Sequence, residues 1–385
     1  MSCVRFLIWL ILISNPVWSA AQSISGYVGT YTSLRGVSNG SAGIYSFHWD
    51  AKTGSLSSVR AAGISSNPSF LAVHPNGKFL YAVNEGVSAE EGRITAFAID
   101  PAGPPGHMHN LGSVSSMGTG PCHVSLDSSA RWLFVSNYRS GSIAVYPVRP
   151  NGALGEARQT IQHQAQVAPD GGTKMPHAHE VVQAPDGRFV LAVDLGLDAV
   201  FIYRFDARSG SLTAHDPDSL RLPPGYGPRH LVFSKDSTRV YLLTELAGTL
   251  ITLRWDAALG VLSQLAESSV LPPDYTGLPS GAELALSPDG RYLYASSRAQ
   301  SNSIAAFRLD RDGIPALISV TASGGATPRF IVIDPSGRYL VAANQDSNAI
   351  VTFRIDPITG ALRPQAGVTG ISAPVDIVFS HSHPP

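Results

Sequence analysis

Charge is scarce in this chain. Only 14% of its 385 residues are Asp, Glu, Lys or Arg, and they nearly cancel, for a formal net charge of −1. So neutral a surface gives no long-range attraction for nucleic acid or an anionic membrane, and neither is expected as a partner. Cysteine is scarcer still, with two residues, Cys3 and Cys122. They lie too far apart in role to pair, because Cys3 falls in a leader-like segment, and the rest of the chain then has no internal disulfide. A lone Cys122 is expected to be a small buried apolar residue rather than a nucleophile. No long amphipathic helical pattern occurs. The apolar run Phe6–Ile13 is well short of the roughly 20 residues a spanning helix needs.

That run belongs to a separate element. Arg5 gives it a positive start, Asn15-Pro16 breaks it, and Ser19-Ala20-Ala21 supplies small residues at −3 and −1. This is the pattern of a secretory signal, residues 1–21, cleaved before Gln22. The expected product is a periplasmic or secreted protein with no membrane attachment, its single domain spanning residues 22–385.

Glycine (37) and proline (28) are abundant, and the chain is rich in turns. The stretch Gly227–Trp255, GPRHLVFSKDSTRVYLLTELAGTLITLRW, is typical. Three short β-rich runs are separated by polar turns, which reads as antiparallel strands a, b and c. Two markers recur. One, roughly D-x-x-x-G-x-L, appears seven times, about 50 residues apart, from Asp50, Asp100, Arg149, Asp206, Asp256, Asp310 and Asp356. The other, a strand–turn–strand unit such as APDGR at Ala184 or SPDGR at Ser287, appears six times. The missing seventh is split. Ser25–Tyr31 looks like a b strand with no a strand before it, and Pro374–Ser380 like an a strand with no b strand after it. Joined, they close a ring. The fold class is therefore all-β, a seven-bladed β-propeller closed by its first and last strands.

Strand alternation sorts the loops. The a–b and c–d turns share one rim, where Gly, Pro, Asp and Asn have ordinary turn roles. The starts of the a strands and the ends of the b strands share the other, and the innermost strands converge on one axial funnel. There stand Cys122-His123, His177-Ala178-His179-Glu180, Arg229-His230, Ala282-Glu283 and Arg329-Phe330, with Glu245 and Arg298 at ends of b strands. Arg229 and Glu245 are 16 residues apart in sequence, yet a hairpin makes them neighbours. Such a concentration of ionisable groups fits either a site or a water-filled channel mouth. His107 and His109, and His381 and His383, read as incidental loop and tail residues. Asn84-Glu85 reads as the repeat pattern.

GPRH at Gly227, TEL at Thr244, SSRAQSNSI at Ser296, PHAHEVV before a PDG turn and GTYT at Gly29 together resemble the seven-bladed lactonase family. That family includes propeller-type 6-phosphogluconolactonases and carboxy-muconate lactonizing enzymes. The resemblance spans the chain after the leader. It implies a functional set of one His, two Arg and one Glu, which falls on His179, Arg229, Glu245 and Arg298. It implies no cofactor and no required metal. His177 and His179 are two apart, which would suit an HxH metal pair on an extended segment, but no third ligand is specified. TEL stands where NEL is common, with the Glu kept. The leader departs further, since the sugar phosphate lactone of central metabolism is cytosolic.

The expected chemistry is hydrolysis of a sugar-type lactone by a monomer. Arg229 and Arg298 would bind an oxyanion, carboxylate or phosphate. A Glu between two Arg should be ionised and a poor base, so His179 is expected as general base with Glu245 orienting it. His177, His123, Arg329 and Glu283 are expected to line the substrate pocket. A muconate-type cycloisomerase and a non-catalytic carbohydrate- or protein-binding propeller are the alternatives. A calcium-dependent gluconolactonase has six blades, not seven.

Overall fold

Alternate residues of the strand Arg239–Thr244 feed two different cores, because a strand's side chains point to opposite faces in turn. Val240 and Leu242 pack with Leu191, Val193, Ile251 and Leu253. Tyr241 and Leu243 pack with Leu293, Ala295 and Phe307. A strand covered on both faces needs apolar residues at every position, which is why it reads as an unbroken run. Each core is thus shared by two neighbouring sheets, and the sheets stack side by side around an axis.

The computed structural model describes residues 24–34, 37–86, 91–100, 106–167 and 171–380. The leader pattern, Cys3, His381 and His383 lie outside these. Among the described residues there is no helix. There are seven four-stranded antiparallel sheets and two two-stranded ribbons. Numbered in chain order by strand a, the blades begin at Leu71, Pro121, Ala178, Pro228, Gly281 and Pro328. The seventh pairs the two ends of the chain as expected. Its strand a is Pro374–Phe379 and its strand b is Ile24–Thr30, in register Gly26↔Phe379, Tyr27↔Val378, Val28↔Ile377 and Gly29↔Asp376.

The repeat markers have local causes. In DAALGVL the Asp256 carboxylate accepts from the backbone N–H of Ala258 (2.9 Å) and Leu259 (3.0 Å). Gly260 then takes φ +69°, a conformation that L side chains rarely adopt. On the same rim, Asp334 of an a–b turn accepts from Trp49 Nε1 (3.2 Å) and the Tyr339 N–H (2.9 Å), which ties blade 6 to blade 7. These turns are occupied in holding the ring together.

Leu242 is fully buried between blades 3 and 4. Leu242→Ala should cost about 2–5 kcal/mol, the range for a buried Leu whose cavity cannot collapse. Equilibrium denaturation would measure it; a loss below half a kcal/mol would contradict this packing.

Candidate active site

The funnel is built by a β-bulge repeated in successive blades. In blade 2, Pro121 faces Asn137 and His123 faces Ser136, so Cys122 is the extra residue. The same slip leaves His179, Arg229, Arg329 and Val375 as extra residues in blades 3, 4, 6 and 7. In a regular strand consecutive side chains point to opposite faces; a bulge breaks that alternation and re-aims one of them. Here it brings consecutive residues such as Arg229-His230 and Arg329-Phe330 into the central cluster, in two layers.

The upper layer carries the charge. Glu245 sits between two guanidinium groups, with Oε2 2.7 Å from an Arg298 terminal nitrogen and 3.2 Å from Arg229 Nε. The Arg229 contact is an ion pair without hydrogen-bond alignment, since its Nε has no bonded partner. Arg229 is almost fully buried and is anchored to the next blade by a short bond from its guanidinium to the Ala282 carbonyl. Burial disfavours the Glu245 charge, but Arg298 and Arg229 outweigh it and hold the carboxyl below its ordinary range. Burial, then repulsion by Arg298 and Arg329, brings Arg229 down to about 10. The GPRH motif explains itself here. Gly227 takes φ +57°, its N–H donates to Asp198 (2.8 Å), and its carbonyl accepts from the Glu245 N–H (2.7 Å). The Arg and the Glu are thereby locked side by side.

His179 is buried beside this cluster, its ring 5.0 Å from His230 and 5.5 Å from Tyr138, both edge-on. Its Nδ1 is buried without a hydrogen-bond partner among the described residues. Burial and the nearby Arg229 charge push the imidazole well below its ordinary range, so it is neutral at pH 7. Glu245 does not touch it. The expected orienting pair is therefore not formed, because the carboxylate is already engaged by two permanent cations.

The opposite wall, from blades 6, 7 and 1, holds a second polar group. Glu85 Oε2 accepts from Tyr31 Oη (2.8 Å) and Ser69 Oγ (2.6 Å) and lies 3.7 Å from an Arg329 nitrogen. Arg329 also covers the Tyr31 ring at 5.3 Å. Arg329 is thus a funnel residue. Glu85 belongs to the site and is not merely a feature of the repeat. Tyr31 supplies the reason for Tyr in GTYT, and Gly29 before it lies too close to the Pro68 carbonyl to carry a Cβ. Sequence reasoning missed Tyr31, Ser69 and Glu85; the signal was that GTYT and Asn84-Glu85 both end b strands, where Glu245 also stands.

The lower layer has one residue per blade: Phe70, His123, Glu180, His230, Glu283, Phe330 and Asp376. Phe70 reaches His123 (4.3 Å), Phe330 (5.8 Å) and, across the axis, His230 (5.9 Å). Phe70 thus joins residues of blades 1, 2, 4 and 6 at the floor of the funnel. Glu283 pairs with His230 Nδ1 at 2.9 Å. Burial raises Glu283 to about 8 and lowers His230 well below its usual range. Burial disfavours charge on both partners, so the pair favours its neutral form, with one proton between Glu283 Oε2 and His230 Nδ1. His123 lies 3.7 Å from Glu180. The Glu180 and Asp376 carboxyls accept from the Leu231 and Leu71 N–H of the next blade, at 2.6 and 2.5 Å. His123 and Glu283 are therefore supports beneath the funnel rather than its open lining.

His177 is half-buried at the wall. Its ring stacks on Tyr138 at 4.6 Å and its Nδ1 meets the Tyr138 carbonyl at 2.9 Å. The bulge at His179 breaks the alternation an HxH pair requires, and among the described residues the group at metal-ligand spacing lies elsewhere, at Asp100, His107 and His109. Cys122 is buried and unpaired as expected, its thiol raised to about 12 by burial, which removes it as a nucleophile.

A family profile described as lactonase, 7-bladed beta-propeller, matches residues 25–379. The chain belongs to that family. Among its lactonase relatives, a Bacillus subtilis protein named 6-phosphogluconolactonase is 32% identical over 357 residues, 92% of this chain and 98% of the relative. One of the same name from Formosa agariphila is 31% identical over 93% of this chain and 100% of its own length. A solved structure described as the periplasmic gluconolactonase of Pseudomonas aeruginosa superposes with a TM-score of 0.85 at 33% identity, covering 93% of this chain and 99% of that one.

Proposed function

We propose that this lactonase hydrolyses the ring ester of a sugar-type lactone, acting as a monomer in the periplasm or outside the cell. The observation that carries the reading is the Arg229–Glu245–Arg298 cluster set beside the His179 imidazole with its unpartnered Nδ1. The leader pattern and the likeness to a periplasmic gluconolactonase support export.

In this mechanism neutral His179 takes a proton from water as the water oxygen bonds to the lactone carbonyl carbon. The carbonyl electrons move onto oxygen, and Arg298 and Arg229 stabilise that oxyanion. As it collapses, the bond to the ring oxygen breaks, and the leaving alkoxide takes the proton back from His179. The product is an open-chain hydroxy acid, which releases one proton at neutral pH. Glu245 fixes the two guanidinium groups. Arg329, with Glu85, Tyr31 and Ser69, faces the far end of the substrate, and His177 with Tyr138 forms the side wall. His123 and Glu283 hold the floor.

The test is proton release by the purified protein on glucono-δ-lactone, 6-phosphogluconolactone and a muconolactone, with and without a chelator. Turnover on the first or second, unchanged by chelation, is the expected result. No rate above spontaneous opening on any of the three overturns the proposal and leaves a binding scaffold.

A further inference from the structure

The outer edge of blade 1 carries a cluster that the funnel chemistry does not use. The hairpin Arg93–Ile99 with Met108–Ser115 ends at Asp100 and His107, which face each other across the strands, with the Asp100 N–H donating to the His107 carbonyl at 2.9 Å. His109 is two residues further along the same strand, so its side chain stands on the same face as that of His107. Asp100 Oδ2 lies 3.7 Å from His107 Nδ1 and 3.5 Å from His109 Nε2, and the three ligand atoms are all within 4.8 Å of one another. The two rings meet edge to face at 4.8 Å.

We propose that Asp100, His107 and His109 form a binding site for one divalent transition-metal ion of the zinc type. Distances of 3.5 and 3.7 Å are longer than hydrogen bonds between these atoms. They are close to the roughly 3.3–3.4 Å that separates neighbouring ligands in a tetrahedral zinc sphere with bonds near 2.0–2.1 Å. Two imidazoles and one carboxylate are the donor set that borderline metals such as zinc accept, whereas calcium and magnesium require oxygen ligands. The His107 and His109 side chains are 47% and 61% exposed, so they have room to rotate and draw ligand atoms now within 4.8 Å of one another to tetrahedral spacing, with the fourth position left to water. The backbone that carries them is paired across the hairpin, which fixes the spacing before any metal arrives. This face is the outermost strand of its blade, whereas the funnel is formed by the innermost strands, so the site is separate from the lactonase chemistry.

Zinc titrated into the purified, chelator-stripped protein should bind once per chain by calorimetry. Cobalt(II) in its place should give the intense visible absorption of four-coordinate geometry. His109→Ala and Asp100→Asn should each weaken zinc binding at least about tenfold, since even a lost supporting contact behind a ligand costs 10–100-fold. Circular dichroism should be unchanged in both variants, because the side chains are at the surface. Equal zinc affinity in the wild type and either variant, or no binding in the wild type, would overturn the assignment.

Discussion

His179→Ala is expected to lower kcat for lactone hydrolysis by about 10²–10⁴, the usual contribution of a positioned general base. KM should change little, because Arg229 and Arg298 remain to hold the substrate's oxygen. The reason lies in who is free to act. Glu245 is ionised but committed to two guanidinium groups. Glu283 and His230 are committed to each other. His179 is a neutral imidazole whose buried Nδ1 has no partner among the described residues. A base must be unprotonated to work, and burial and Arg229 hold this imidazole low, so activity should fall only as pH drops below the ordinary histidine range. The wild-type kcat/KM profile should therefore show an acid limb below pH ~6.5, and the variant should lack it. An unchanged kcat in His179→Ala would sink the assignment of the base.

The second large effect concerns ring closure. Removing residues 374–385 deletes the innermost strand of blade 7 and should abolish cooperative folding. Val375 and Ile377 leave the core, and Gly26–Thr30 loses its inner partner and keeps only the strand Gly43–Asp50 on its other side. The cost exceeds that of one cavity. Blade 6 is bared on one face, and the inner edge of Ile24–Thr30 opens to solvent, where it can pair with other chains. Asp376 also goes, and with it the acceptor for the Leu71 N–H of blade 1. Aggregation, or loss of the sigmoidal thermal transition followed by circular dichroism, is the expected result. A truncated chain melting within a few degrees of the intact one would show that closure contributes little. Ile377→Ala is the milder companion, at about 2–5 kcal/mol.

Most of the fold was legible because each blade repeats the same local instructions. Alternating apolar runs and Asp- and Gly-bearing turns specify strands without reference to the rest of the molecule, and counting them gave seven. The split seventh unit was readable for the same reason: an orphan b strand and an orphan a strand have one way to be satisfied. The site was readable as a set of positions, since strand direction sends the starts of a strands and the ends of b strands to one rim. Arg229, Glu245 and Arg298 meet as that argument requires.

The sequence by itself determined the blade count, the closure and the rim that bears the ionisable groups, because those follow from short-range pattern and strand alternation. Tertiary structure alone decided who pairs with whom. The bulges at Arg229 and Arg329 bring consecutive residues into the central cluster, and no sequence period announces a bulge. Partnership then follows from charge and burial across blades far apart in the chain. Glu245 goes to two arginines instead of His179, Glu283 to His230, and Glu85 to Arg329 across the ring closure. Each is the nearest group that can compensate a charge or proton taken out of water, and which group is nearest is fixed only when the ring is closed.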